Sequence, residues 1–215
     1  CEGDSVTLLD ASSGGYPSYS WLWSTVETTS DINIKYTGTY YFDLVDSKGC
    51  RDRSNEESFL FNPTPRPQIS GEKLICMNQS SNLLSVNYPN AGFTFEWKKD
   101  GVVQAFWIYN TYNINDVAGP HQMTVTVTSD SGCVGYDTFD LILLNLPNVS
   151  VTAPGIMCEG EEHLLIGNST STNILGEYWS TGLVNDSLIA YIPGQYTYTV
   201  VDSNGCTNSA ARTIQ

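Results

Sequence analysis

One stretch occurs three times in this chain and limits what it can fold into. Gly194-Gln-Tyr-Thr-Tyr-Thr-Val-Val-Asp-Ser-Asn-Gly-Cys206 repeats Gly38-Thr-Tyr-Tyr-Phe-Asp-Leu-Val-Asp-Ser-Lys-Gly-Cys50, with a looser copy ending Met123-Thr-Val-Thr-Val-Thr-Ser-Asp-Ser-Gly-Cys133. Counting back ten, eight and six residues from each cysteine gives Tyr40, Phe42, Leu44; Met123, Val125, Val127; and Tyr196, Tyr198, Val200. All are apolar or aromatic, and the residues between them are mostly polar. Period two over six residues describes a strand with one buried face. The Asp/Ser/Asn-Gly segments that follow are turn chemistry. A strand that recurs with its turn defines a repeat.

The cysteines set the size of that repeat. Trp23, Trp97 and Trp179 follow Cys1, Cys76 and Cys158 by 22, 21 and 21 residues, and Cys50, Cys133 and Cys206 follow those tryptophans by 27, 36 and 27. Six cysteines allow fifteen pairings. The Cys–Trp–Cys unit makes Cys1–Cys50, Cys76–Cys133 and Cys158–Cys206 the simplest of them, and any bridge between units would overturn the three-unit reading. No two cysteines lie two to four residues apart, so a zinc cluster is excluded. Paired cysteines at this density point to an oxidising, extracytoplasmic setting.

Three units follow: 1–64, 65–146 and 147–215. Cys1-Glu-Gly and Cys158-Glu-Gly open the first and third, and Trp23-Ser-Thr matches Trp179-Ser-Thr-Gly182. Six or seven short strands per unit, with turns every 8–12 residues, are the pattern of a β-sandwich. Asn62-Pro-Thr-Pro-Arg-Pro67 and Asn145-Leu-Pro147 separate the units. Proline keeps such links extended, so an end-to-end rod is expected. Pro67-Gln-Ile-Ser and Pro147-Asn-Val-Ser begin the second and third units, and the first lacks this strand. The third unit stops short of the matching end of its last strand. The expected origin is a slice of a longer repeat protein.

Composition narrows the function. The formal charge is −14, from 23 acidic and nine basic residues, which disfavours nucleic acid and anionic membrane surfaces. No apolar run approaches the ~18 residues that cross a bilayer, so direct membrane insertion is not expected. Asp43, Asp46, Asp130 and Asp202 are the acidic candidates for calcium, but none lies in an Asp-x-Asp-x-Asp-Gly loop, and solubility is the simpler reading. His121 and His163 have no repeated partner and read as surface or loop histidines. No acid, base or nucleophile recurs at a fixed spacing, so neither catalysis nor a cofactor is expected.

Gly38-Thr-Tyr40 and Gly194-Gln-Tyr196 resemble the Gly-x-Tyr corner at the start of strand F in immunoglobulin domains, Val6-Thr-Leu8 resembles strand B, and Trp23, Trp97 and Trp179 resemble the strand C tryptophan. Phe42 and Tyr198 stand where the antibody pattern has its cysteine. The whole pattern, from Cys-Glu-Gly through Trp-Ser-Thr-Gly to Asp-Ser-x-Gly-Cys, resembles the Ig-like and PKD-like repeats of very large Bacteroidota surface proteins, including gliding-motility adhesins and type IX secretion substrates. That resemblance implies an extracellular or outer membrane-associated stalk or adhesion segment. Its partners would be further repeats of the same polypeptide, and also surface polysaccharide or another surface protein. It also implies O-glycosylation at the Asp-Ser-aliphatic sites Ser5 and Ser187.

The second unit carries nine extra residues between its tryptophan and second cysteine, and they bring Phe106, Trp107, Tyr109 and Tyr112 together. Alternate aromatics in a longer sheet is one reading. A face that binds a partner or stacks on sugar rings is the other, and it would suit the alternative function, a carbohydrate-binding array attached to a secreted degradative enzyme. Asn-x-Ser/Thr occurs at Asn78, Asn148, Asn168 and Asn185 and matters only in a host with N-glycosylation.

Overall fold

The computed structural model describes residues 1–77, 83–105, 108–153, 156 and 160–215. Among them all regular structure is β. The first unit holds β1 (Val6–Leu8), β2 (Ser20–Trp23), β3 (Ile32–Ile34), β4 (Gly38–Tyr40), β5 (Phe42–Val45), β6 (Arg51–Arg53) and β7 (Glu57–Phe59). The second holds β8 (Ile69–Ser70), β9 (Leu74–Cys76), β10 (Leu83–Val86), β11 (Phe93–Lys99), β12 (Val102–Val103), β13 (Thr111–Asn113), β14 (Gly119–Ser129) and β15 (Val134–Leu144). The third holds β16 (Val149–Thr152), β17 (His163–Ser169), β18 (Ile174–Trp179), β19 (Ser187–Ala190), β20 (Gly194–Asp202) and β21 (Thr207–Ile214).

The repeated strand lies inside one sheet in the second and third units, β12-β11-β14-β15-β9 and β18-β20-β21; in the first it is split, β5 being the middle of β2-β5-β6 while β4 pairs separately with β7. The opposing sheets are β1-β3, β13-β10-β8 and β16-β17-β19. Alternation does the work expected of it. Met123, Val125 and Val127 are fully buried, as are Tyr198 and Val200, while Thr124 and Thr126 on the other face are only half-buried. Among the described residues, buried apolar side chains gather in three clusters, around Trp23, Ile34 and Tyr40, around Trp97, Leu84 and Val125, and around Trp179, Leu165 and Tyr198.

The cysteine connectivity differs from expectation. Cys1 is bonded to Cys133 and Cys76 to Cys206, with Cα–Cα separations of 5.5 and 5.4 Å. Both bridges join neighbouring units, not the two cysteines of one unit. Cys50 is a free, exposed thiol, and Cys158 lies outside the described residues.

Strand direction explains the correction. Cys76 ends β9, which runs parallel to β15 with Cys76 level with Leu144 at the far end of that strand. Cys133 sits just before Val134, at the near end. The 11 residues of β15 span about 33 Å at roughly 3.3 Å per residue. Bridged cysteines need Cα atoms within about 7 Å, so Cys76 and Cys133 cannot meet inside their own unit. Cys1 lies beside Asn62 in the same way, because Glu2 N donates to Asn62 O at 2.8 Å. The first cysteine of a unit therefore sits at its downstream end, where the next unit presents its cysteine turn. Bridges between units overturn the reading of three units each defined and closed by its own cysteine pair; what still divides the chain, among the described residues, is its three separate hydrophobic clusters.

Candidate functional site: the stapled junctions

The receiving half of each junction is a tight turn. In the third unit Asp202 Oδ1 accepts from Cys206 N at 2.8 Å and from Asn204 N at 2.9 Å, and Gly205 N donates to Asp202 O at 3.0 Å. The first unit repeats this with Asp46 Oδ1 accepting from Cys50 N (2.9 Å) and Lys48 N (2.8 Å). Ser129 Oγ replaces the carboxylate in the second, accepting from Cys133 N at 3.2 Å. Gly49, Gly132 and Gly205, each just before its cysteine, have φ of 83°, 80° and 82°, a conformation that costs a side-chain-bearing residue. Partial desolvation works to raise the pKa of Asp46, but the N–H groups of Tyr16, Cys50, Lys48 and Gly49 outweigh it and hold the carboxyl below its ordinary value. Asp46 and Asp202 are thus turn anchors, and Asp43 pairs with Arg53 at 2.7 Å. Asp130 N caps Gly92 O at 3.1 Å.

The linkers are packed, not free. Pro65, Pro67 and Pro147 are buried. A Cβ on Gly135 would stand 1.9 Å from Pro65 O, so the second unit's last strand holds the incoming linker at its bare backbone. Asn208 takes the same role in the third unit, its Nδ2 donating to Pro147 O at 2.8 Å. Cys133 Sγ lies 3.7 Å from Asn62 O, so linker and staple reach the same spot. Each junction is covalently closed twice.

Corners and tryptophans recur inside the units. Tyr40 Oη donates to Tyr36 O at 2.7 Å and Tyr196 Oη to Ile192 O at 2.8 Å. Trp23, Trp97 and Trp179 are all buried, and each Nε1 donates to a backbone carbonyl, of Thr29, Tyr109 and Asn185. The chain is built of Ig-like sandwiches. The second unit has a corner too: His121 Nε2 lies 2.9 Å from Val117 O, four residues back, and Nδ1 lies 2.7 Å from Asp100 Oδ2. His121 is therefore a buried corner residue in tyrosine's place, not a surface histidine. Gly119-Pro-His121 keeps the Gly-x-Tyr spacing, and β14 starts two residues earlier relative to its cysteine, which hid the match. His163 is also buried, against Glu161 at 3.5 Å.

The aromatic segment does not assemble as one face among the described residues. Tyr112 is buried against Trp97, ring centroids 5.5 Å apart, so it belongs to the core. Tyr109 is exposed; Phe106 and Trp107 lie outside the described residues. Tyr40, Tyr196 and Tyr198 are buried, and Phe42 is half-buried. Ser5 is exposed ahead of β1, whereas Ser187 is half-buried in β19, paired with Ile166. Among the described residues no group of three or more His, Cys, Asp or Glu side chains is arranged to hold a metal.

No family model matches the chain, and no curated protein does. Solved structures similar to it include the amphioxus IgVJ-C2 molecule, at 17% identity over 62% of this chain and 94% of its own, TM-score 0.27. A 1.5-MDa bacterial ice-binding adhesin is similar at 12% identity over 99% of this chain and 91% of the adhesin structure, TM-score 0.34. SGBP-B of a Bacteroides ovatus mixed-linkage glucan utilization locus, solved with a mixed-linkage heptasaccharide, is similar at 12% identity, TM-score 0.26; this chain is covered fully and spans 64% of that one. At these scores the likenesses carry no argument, and the Ig-like assignment rests on strand order and corners.

Proposed function

We propose that this chain is a stapled stalk: a run of Ig-like units, 1–64, 65–146 and 147–215, that spans distance as part of a large secreted or surface-anchored bacterial protein and presents or forms adhesive modules. The observation that carries this reading is the double closure of each junction, by a packed proline linker and by a disulfide between neighbours. A linker alone leaves a hinge; a second covalent tie at the same interface removes most of its freedom. Such a device suits a part whose task is to keep its length and direction. The disulfides suit an extracellular location, and an outer-membrane-associated gliding or type IX-secreted adhesin is the specific setting that the sequence pattern suggests. The units share folding residues and no acid–base or nucleophilic set, so the segment acts without catalysis or a cofactor. Its partners are further repeats, and surface polysaccharide or another surface protein where adhesion occurs. The carbohydrate-array alternative is weakened by Tyr112, which packs inward.

Small-angle scattering on the oxidised chain tests the reading. The expected maximum dimension is several times that of one unit, with a narrow distribution that broadens on reduction. A compact particle, or a shape indifferent to reduction, would contradict it.

A further inference from the structure

The first unit is open along one edge. In the second and third units the sheet holding strand B has three strands, with β8 beside β10 and β16 beside β17, whereas β1 pairs with β3 alone. Ile69 of β8 pairs with Val86, two residues past the core Leu84, and Val151 of β16 pairs with Gly167, two past the core Leu165. The same count from Leu8 leads to Asp10, where the described chain has no such neighbour. Beside that stretch lies an open cleft of about 510 Å³, lined by Leu8, Leu9 and Ala11 on the β1 side and by Leu44, Ser54 and Trp23. Core exposure agrees. Phe42 and Leu44 are half-buried, while residues at the matching positions, Val125, Val127, Tyr198 and Val200, are all but fully buried.

The unbonded thiol belongs to the same unit. Cys50 sits in the turn that in the other units holds Cys133 and Cys206, with the same aspartate bond as Cys206, and both of those are bonded to the preceding unit and wholly buried. Cys50 is exposed.

We propose that this end of the first unit is a docking face for a further repeat of the same kind, whose Cys-Glu-Gly-type cysteine bonds to Cys50, with a Pro-x-Ile/Val-Ser strand like those that open the second and third units filling the cleft beside residues 8–13. The staples then form a continuous series, first cysteine of one unit to second cysteine of the next. The bond forms from two thiols, which lose two protons and two electrons; a disulfide oxidant such as oxidised glutathione takes up the electrons and becomes two thiols. The inference rests on the repeat organisation proposed above, but its test reads the first unit alone and leaves the shape measurement untouched.

Disulfide trapping tests it. The probe is a synthetic peptide of residues 62–71 preceded by one added cysteine, because Asn62 O lies beside the receiving sulfur at the existing junction. It is mixed with the whole oxidised chain in a glutathione buffer, beside a control peptide carrying Ile69→Asp. Docking raises the effective concentration of the peptide thiol at Cys50, so capture at Cys50 should exceed the control by about tenfold or more and vanish in Cys50→Ser. Equal capture of both peptides, or capture that persists in Cys50→Ser, would overturn the proposal. A second readout keeps it falsifiable without the thiol: peptide binding to Cys50→Ser should slow amide exchange in residues 8–13, and unchanged exchange there counts against it.

Discussion

At the residue scale the three units act as internal controls for one another. Trp179 and Gly182 close a turn in which Gly182 N donates to Trp179 O at 2.9 Å; Gly182 has φ of 87°. Val26 occupies the same place after Trp23, makes the same bond at 2.8 Å, and has φ of 73°. A β-branched residue there is strained, and its side chain is 79% exposed, so it gains little by packing. Val26→Gly should therefore stabilise the first unit by about 1 kcal/mol, the left-handed penalty less glycine's extra entropy; a destabilised variant in denaturant titration would refute the strain. Asp100 carries a pH prediction. The bond from His121, then that from Gln122 N, holds its carboxyl below the ordinary 3.8. A depressed carboxylate stabilises the fold above its unfolded value and loses that contribution as pH falls through the folded one. The stability difference between the native chain and Asp100→Asn should be present at neutral pH and disappear as the pH drops below 3.8; a difference constant across that range would contradict the assignment. The tyrosine corners were legible because Gly-x-Tyr is a local pattern. His121 was not, because a different ring does the same job at a shifted count.

At the element scale, alternation and turn residues were enough to find the central strand of each unit, since burial of one face and positive φ before each cysteine are local demands. Connectivity of the cysteines is a different kind of fact. Spacing along the chain is the same whether Cys76 and Cys133 lie side by side or at opposite ends of β15. Only the parallel pairing of β9 with β15 decides, and that is long-range. The sequence did carry a clue, in the 12 residues from Cys133 to Asn145, a strand long enough to separate the ends. Proline predicts extended spacers; the burial of the first linker comes from Gly135, where an absent side chain leaves room for Pro65. Gly135→Ala should push that linker off β15 and loosen the first junction while the second unit keeps its core. Amide exchange should rise across residues 62–67 and stay slow in β14. Protection unchanged at the linker would mean the close approach is not holding it.

At the scale of the whole molecule the two bridges interleave, Cys1 to Cys133 and Cys76 to Cys206, enclosing sequence separations of 132 and 130 residues. In the chain-entropy model each closes a loop worth about 5 kcal/mol against joint unfolding of the units it spans. That stabilisation belongs to the array and not to any one unit, and this is what separates a stapled stalk from beads on a string. The resemblance to adhesin repeats suggested the stalk, but not how neighbours are tied. Everything distinctive in the account depends on connectivity, and digestion of the unreduced chain followed by mass spectrometry reads it directly. The expected products are one linked pair containing Cys1 and Cys133, another containing Cys76 and Cys206, and Cys50 in a peptide unlinked to any of these four. Linked pairs Cys1–Cys50 and Cys76–Cys133 would return the cysteines to their own units and remove the staples.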